Sequence, residues 1–169
     1  GATGARKDTT HNAGGSRGGQ GNLAARSRWG LHSAPAARFD AGLAPYRRRA
    51  ALQRPANVTP RTATLARQWR QEAGDDDAAV VRRALDWITA DFSYTLETPA
   101  PGRDPVDAFL FDYKAGFCQH FSSAFVVLMR NAGIPARVVT GFAGGTRNRL
   151  GNYWVVRRMD AHAWAEVWL

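Results

Sequence analysis

The strongest hydrophobic pattern in the chain lies in GFCQHFSSAFVVLMRNAGIPARVVTGF, residues 116–142. Apolar side chains cover most of the surface of a predicted helix that runs from Cys118 to about Ala132. A helix of this kind is buried on nearly all sides. Gly133 is a typical helix end, and Pro135 prevents a restart. The pattern therefore predicts a central, buried helix that begins at the cysteine.

Two amphipathic helices are predicted upstream. The first begins at Thr59-Pro60, where a hydroxyl cap precedes a proline at the first helical position, and it ends near Ala73-Gly74. The run of carboxylates at residues 75–77 opens the second helix, since negative charge favours the positive end of the helix dipole. The predicted buried stripe of this second helix is Val81, Leu85, Ile88 and Phe92.

A short helix or turn is predicted in DPVDAFLFD, residues 104–112, and it brings Phe109 and Leu110 to the core. Asp104 and Asp107 are interpreted as helix caps rather than calcium ligands, because no ligand-rich loop surrounds them.

Three strands are predicted after the central helix, in the segments ARVVTGF, NYWVVRR and AHAWAEVWL. Alternation in the last strand assigns two faces. One face carries His162, Trp164, Glu166 and Trp168, and the other carries Ala163, Ala165 and Val167. Helices followed by an antiparallel sheet indicate an α+β fold.

Charge and composition separate residues 1–56 from residues 57–169. The chain has a net charge of +9, and residues 1–57 hold ten basic side chains against two acidic ones. The Gly- and Arg-rich start offers little to bury, so residues 1–56 are predicted to be disordered or weakly structured. Residues 57–169 are predicted to form the folded domain. Because that part is nearly neutral, no nucleic-acid partner is expected, although the basic tail leaves contact with RNA as a minor alternative.

A single cysteine excludes an intrachain disulfide and a zinc site with several thiolates, and no metal or cofactor is expected. The longest apolar run, FVVLM, is far shorter than the roughly 20 residues of a membrane span. The chain begins without Met and stops at Leu169 inside a strand pattern, so it is expected to be part of something longer.

Cys118 has the surroundings of a nucleophile. In the first helical turn, free N–H groups and the helix dipole stabilise a thiolate and can receive an oxyanion. Gly116 lets a substrate chain approach closely, and Gln119 and Trp164 are further candidates for the substrate cleft. On the residues alone, however, inert packing is the more common role of a lone cysteine.

His162 is the preferred partner base for Cys118. It opens the last strand, which the fold can bring beside the start of the central helix. His120 is only two residues from the cysteine, and residues two apart do not face each other on a helix. His11 and His32 lie in the tail.

The segment from GFCQHFSS to TGF, followed by DAHAWAEVWL, resembles the transglutaminase-like superfamily in its bacterial membrane-anchored subtype. The resemblance covers about residues 57–169. It implies a papain-like core in which Cys118 is the nucleophile and His162 the base. It further implies acyl transfer from a protein or peptide glutamine to an amine or water, in a periplasmic domain whose membrane segments lie outside this chain.

The third triad member of that family is an Asp on the next strand, and the chain stops before it. Asp160 and Glu166 are not well placed to replace it, so impaired turnover is expected from this chain. Two alternatives stay open: a cysteine peptidase or amidase of the same fold, and a catalytically silent interaction module.

Overall fold

The computed structural model of the protein describes residues 9–11, 17–19, 42–54, 59–100 and 102–169. The chain divides into two units, residues 1–43 and 44–169. In the first unit, strands β1 (Thr9–His11) and β2 (Arg17–Gly19) form an antiparallel pair. The rest of the segment predicted as disordered lies mostly outside the described residues.

The second unit carries five helices and six short strands in its described residues. The helices are α1 (Pro45–Ala51), α2 (Pro60–Ala73), α3 (Asp77–Asp91), α4 (Pro105–Asp107) and α5 (Cys118–Asn131). The strands are β3 (Ser93–Tyr94), β4 (Ala115–Gly116), β5 (Ala136–Phe142), β6 (Thr146–Asn148), β7 (Tyr153–Val155) and β8 (Ala161–Val167). A π-helical turn (Ala108–Tyr113) follows α4, and a 3-10 turn (Arg158–Asp160) precedes β8.

Helix α5 lies at the centre of the core, as its apolar pattern predicts. Its buried side chains Phe125, Val126, Leu128 and Met129 pack with Ala66 and Trp69 of α2 and with Val80 and Ala84 of α3. A second cluster joins α5 to the π-helical turn through Phe109, Leu110 and Ala124. The prediction that Phe109 and Leu110 reach the core is therefore confirmed.

The predicted buried stripe of α3 is partly wrong. Val80 and Ala84 are fully buried, whereas Leu85 is 50% exposed. Val81 and Ile88 only flank the core, and Phe92 packs against the second cluster. The helix is rotated by about one residue from the prediction, because small Ala84 allows close approach to α2 and α5 where Leu85 does not.

Side chains that are distant in sequence cap the start of α2. Asp107 accepts hydrogen bonds from the backbone N–H groups of Arg61 and Thr62 at 2.8 and 2.9 Å, and Asp104 accepts from the N–H of Thr59. The hydroxyl of Thr62 also donates to Asp107. Thr59 makes no side-chain cap, so the predicted hydroxyl cap is wrong: carboxylates from the α4 segment occupy the free N–H groups. Asp104 also caps α4 itself, which confirms the cap interpretation of both residues.

Strands β5 and β8 form an antiparallel pair that covers α5. The register runs from Ala136 opposite Val167 to Phe142 opposite Ala161. Ala163 is buried, and Ala165 and Val167 pack against the α5 cluster, so the predicted two faces of β8 are confirmed. The predicted strand in NYWVVRR shortens to β7 and pairs with β6 as a separate hairpin, rather than joining β5 and β8.

Helix α1 lies within residues 1–56, the segment predicted to be weakly structured. Ala51 at its end is buried, and the guanidinium of Arg130 on α5 donates to the carbonyl of Gln53 at 2.8 Å. Desolvation by burial lowers the pKa of Arg130. In the described residues, no helix is both long enough and apolar enough to cross a bilayer.

Candidate active site

Cys118 is the first residue of α5, and Phe117 occupies the N-cap position. The cysteine is half-buried, so its sulfur lies between the core and the solvent. Helix α5 begins here because Phe117 is extended, and the apolar positions of the helix start at Phe121. The sequence prediction of a helix start at the thiol is confirmed.

The backbone N–H groups at the start of α5 divide into two kinds. The N–H of Phe117 donates to Nδ1 of His120 at 3.3 Å, and the N–H of His120 donates to the carbonyl of Phe117 at 2.8 Å. Among the described residues, the N–H groups of Cys118 and Gln119 have no hydrogen-bond acceptor. Two donors beside the sulfur therefore stay open to a ligand oxygen, as the free first turn of a helix allows.

Gly116 is buried directly beside His120. A Cβ added to Gly116 would lie 2.9 Å from both Cβ and Cγ of His120, which is closer than ordinary packing permits. The imidazole packs edge to face with Phe117 at 4.4 Å between ring centroids and lies 5.7 Å from the ring of Phe109. His120 is thus half-buried among aromatic rings, whereas Gln119 is exposed.

Strand β8 is long enough to place His162 near the Cys118 end of α5. The N–H of Trp168 donates to the carbonyl of Pro135, just after the C-terminus of α5, so the end of β8 lies at that end of the helix. Seven strand residues and fourteen helical residues each span about 20 Å. The start of β8 accordingly reaches the level of the helix start.

The side chain of His162 lies on the face of β8 opposite to the buried Ala163, and it is exposed. It stands directly across from Gly141 of β5. In the described part of the chain, no hydrogen bond joins His162 to Cys118 or to a carboxylate. Asp160 accepts from the N–H of Arg157 instead.

Trp164 lies over Gly141, next to His162. A Cβ on Gly141 would come within 3.0 Å of Cη2 of the indole. The indole N–H donates to Glu166 at 3.3 Å, and Glu166 pairs with Arg137 of β5 at 2.7 Å. Trp164 remains 39% exposed, so its ring forms an apolar surface beside the histidine.

A shallow groove elsewhere on the unit contains none of the predicted site residues. It is lined by Pro60, Arg61, Thr64, Leu65, Gln68 and Phe111. Within the described ranges, no three His, Cys, Asp or Glu side chains come together as metal ligands.

The contact between His120 and Phe117 was not predicted from the sequence. The available signal was position, because His120 is the third residue of the helix, where a Glu or Gln side chain reaches back to the N-cap N–H in a capping box. A histidine in that place is not part of the usual pattern, and its ring can be directed only by the surrounding Phe109 and Gly116 packing.

Comparisons with known proteins identify the family of this chain. Residues 63–169 match the family model of the transglutaminase-like superfamily. A protein-glutamine gamma-glutamyltransferase of Pseudomonas aeruginosa is 43% identical over 138 residues, which is 82% of this chain and 21% of that protein. YebA of Bacillus subtilis is 38% identical over 125 residues, 69% of this chain and 17% of that protein. The chain thus spans about a fifth of the length of these relatives.

Solved structures show the same fold. The periplasmic domain of TgpA from Pseudomonas aeruginosa superposes with a TM-score of 0.72 at 44% identity, over 78% of this chain and 46% of that one. A protein from Cytophaga hutchinsonii proposed to be a cysteine protease superposes with a TM-score of 0.50 at 22% identity, over 74% of this chain and 39% of that one. These matches support the predicted papain-like α+β fold. Since the family model covers more than half of its residues, this chain belongs to the transglutaminase-like superfamily.

Proposed function

We propose that the protein catalyses acyl transfer from a glutamine side chain through a thioester on Cys118. The single observation that carries this proposal is the pair of open N–H groups, of Cys118 and Gln119, beside a half-buried thiol. Preorganised donors of this kind stabilise the oxyanion that forms when a sulfur attacks an amide carbonyl. A cysteine that only fills space in a core needs no unpaired donors around it.

His162 is the proposed general base. It takes the proton of the Cys118 thiol, and the thiolate attacks the glutamine carbonyl to form a new S–C bond. The C–N bond of the amide then breaks, and ammonia leaves with a proton from the imidazolium. An amine attacks the thioester, gives its proton to His162, and releases the thiolate. If water attacks instead, the product is glutamate.

The position of His162 means that this mechanism requires a movement of its side chain. Its side chain starts on the outer face of β8, so it must turn around the start of the strand to approach the sulfur. Gly141, directly opposite, has no side chain of its own, but the ring of Trp164 covers it. Trp164 and Gln119 are the proposed walls of the substrate cleft, one on the sheet and one on the helix.

The relatives support the proposed substrate class and location. A relative at 43% identity is named for protein-glutamine gamma-glutamyl transfer, and the matched crystal structure is a periplasmic domain. We therefore propose protein or peptide glutamine as acyl donor, and an amine as acceptor, in the periplasm.

The proposal is tested with a glutamine-containing peptide and a fluorescent primary amine. Wild-type protein should release ammonia and couple the amine to the peptide, and Cys118→Ala should do neither. Ammonia release without coupling would identify a hydrolase. Ammonia release at equal rates from the wild-type protein and from Cys118→Ala would reject acyl transfer through Cys118 and favour a silent module.

A further inference from the structure

We infer that His120 is a positioning residue that holds the nucleophile turn, residues 116–118, through a single acceptor atom, its Nδ1. The inference rests on the proposed function of Cys118. It assigns His120 neither proton transfer nor contact with substrate.

The hydrogen bond fixes both the role and the tautomer of His120. Nδ1 accepts from the N–H of Phe117 at 3.3 Å, so the ring proton lies on Nε2. Phe117 immediately precedes the cysteine. The bond holds the Gly116–Phe117 peptide, and the next peptide, Phe117–Cys118, carries the N–H of Cys118 and is bound at its carbonyl by the N–H of His120.

The packing around His120 keeps the acceptor in place. Gly116 touches its Cβ and Cγ side, Phe117 meets the ring edge to face, and Phe109 lies 5.7 Å away. Few rotamers fit a side chain enclosed in this way. Gly116 is thus required by the space that His120 fills, in addition to any role in substrate approach.

The same bond determines which N–H groups of the turn remain open. His120 occupies the N–H of Phe117. Of the N–H groups at residues 117–120, those of Cys118 and Gln119 are then the two without an acceptor among the described residues. If His120 offered no acceptor, the N–H of Phe117 would lose its partner, and the Gly116–Phe117 peptide would be held only at its carbonyl, which accepts from the N–H of Thr95 at 2.8 Å. The oxyanion donors on the next residues would then be directed less firmly. The expected consequence is slower acylation with little change in substrate affinity.

Two substitutions test the acceptor atom and the aromatic ring of His120 separately. His120→Asn keeps an oxygen close to the position of Nδ1 but removes the aromatic ring. His120→Leu keeps apolar bulk but removes the acceptor. Ser123→Leu, at an exposed position of α5, is the matched control for placing a leucine on this helix.

The readout is the rate at which p-nitrophenyl acetate acetylates Cys118, measured as the burst of p-nitrophenol, together with the melting temperature. We expect His120→Leu to slow acylation about tenfold, the effect of about one lost hydrogen bond. His120→Asn should stay within about threefold of wild type even where it melts lower. Ser123→Leu should leave the rate unchanged. If the rates followed the melting temperatures instead, His120 would be a packing residue and the inference would be wrong.

A second measurement is independent of activity. Long-range ¹H–¹⁵N spectra of the histidine rings should show the Nε2–H tautomer for His120, and the amide of Phe117 should exchange slowly in wild type and His120→Asn but fast in His120→Leu. An Nδ1–H tautomer, or unchanged exchange in His120→Leu, would overturn the inference. This outcome is distinct from failure of the proposed function, which would appear as an absence of acetyl-Cys118 in every variant.

Discussion

Two helix starts in the same unit, those of α2 and α5, have opposite chemistry. At α2, Asp107 is buried and takes two backbone N–H groups and a hydroxyl, while Asp104 takes a third N–H. At α5, no carboxylate approaches, and the N–H groups of Cys118 and Gln119 have no acceptor among the described residues. A saturated helix start stabilises the fold, and an open one beside a thiol is available for reaction.

The largest effect is expected from removing His162, the proposed base. His162→Ala should lower the acylation rate of Cys118 by a factor of about 10² to 10⁴, the range that general-base and triad residues contribute. Its melting temperature should stay near that of wild type, since His162 is exposed. Stopped-flow measurement of p-nitrophenol release checks this. A rate within threefold of wild type would remove His162 from the mechanism.

The saturated start predicts a loss of stability instead. Asp107→Ala should lower the free energy of unfolding by about 2–4 kcal/mol, because it strands buried N–H groups and a hydroxyl. Urea denaturation at neutral pH measures the change. Asp112→Ala, which loses only an exposed ion pair with Arg61, is the control and should change stability by less than about 1 kcal/mol. Equal losses in the two variants would contradict the capping role.

Gly116→Ala tests how tightly the open start is built. The new methyl group would meet His120 at 2.9 Å and displace it from the N–H of Phe117. We expect acylation to slow by about tenfold, comparable to the loss of one hydrogen bond. Gly102→Ala, where a Cβ meets nothing within 4 Å, is the control. An unchanged rate in Gly116→Ala would show that the turn tolerates displacement of His120.

The smallest effect is expected at the exposed ion pair between Asp91 and Lys114. The hydrogen bond from Lys114 holds the pKa of Asp91 below its ordinary value. A lowered carboxyl pKa stabilises the fold above the unfolded-state pKa, and this contribution is lost as the pH falls through the folded-state value. Asp91→Asn should therefore remove a slight, salt-sensitive stabilisation at neutral pH and none in acid. Denaturation at two pH values and two salt concentrations measures it. A loss that persists in acid would show that packing, and not charge, is involved.

Local signals in the sequence were sufficient for the helix starts and for the two faces of β8. The apolar run after Cys118 and the Gly133–Pro135 end mark α5, and strict alternation separates His162 from Ala163. Contacts distant in sequence could not be predicted in this way. Asp107 caps α2 from 45 residues away, and β5 pairs with β8 across an intervening hairpin.

The rotation of α3 and the direction of the His120 ring could not be predicted from the hydrophobic pattern either. Val80 with Ala84 and Val81 with Leu85 are both spaced as a helix face, and only the close approach of α2 and α5 selects the first pair. For His120, spacing argued against a role as the base. Its actual partner, the N–H of Phe117, depends on packing by Gly116 and Phe109 that spacing does not encode.

The most direct test of the account is the covalent intermediate itself. Wild-type protein and Cys118→Ala are mixed with p-nitrophenyl acetate, quenched in acid within the burst, digested, and analysed by mass spectrometry. We expect one acetyl group on the peptide that contains Cys118, its removal on addition of a primary amine, and no such burst with Cys118→Ala. A burst of equal size in Cys118→Ala, or acetylation of wild type only at other residues, would contradict it.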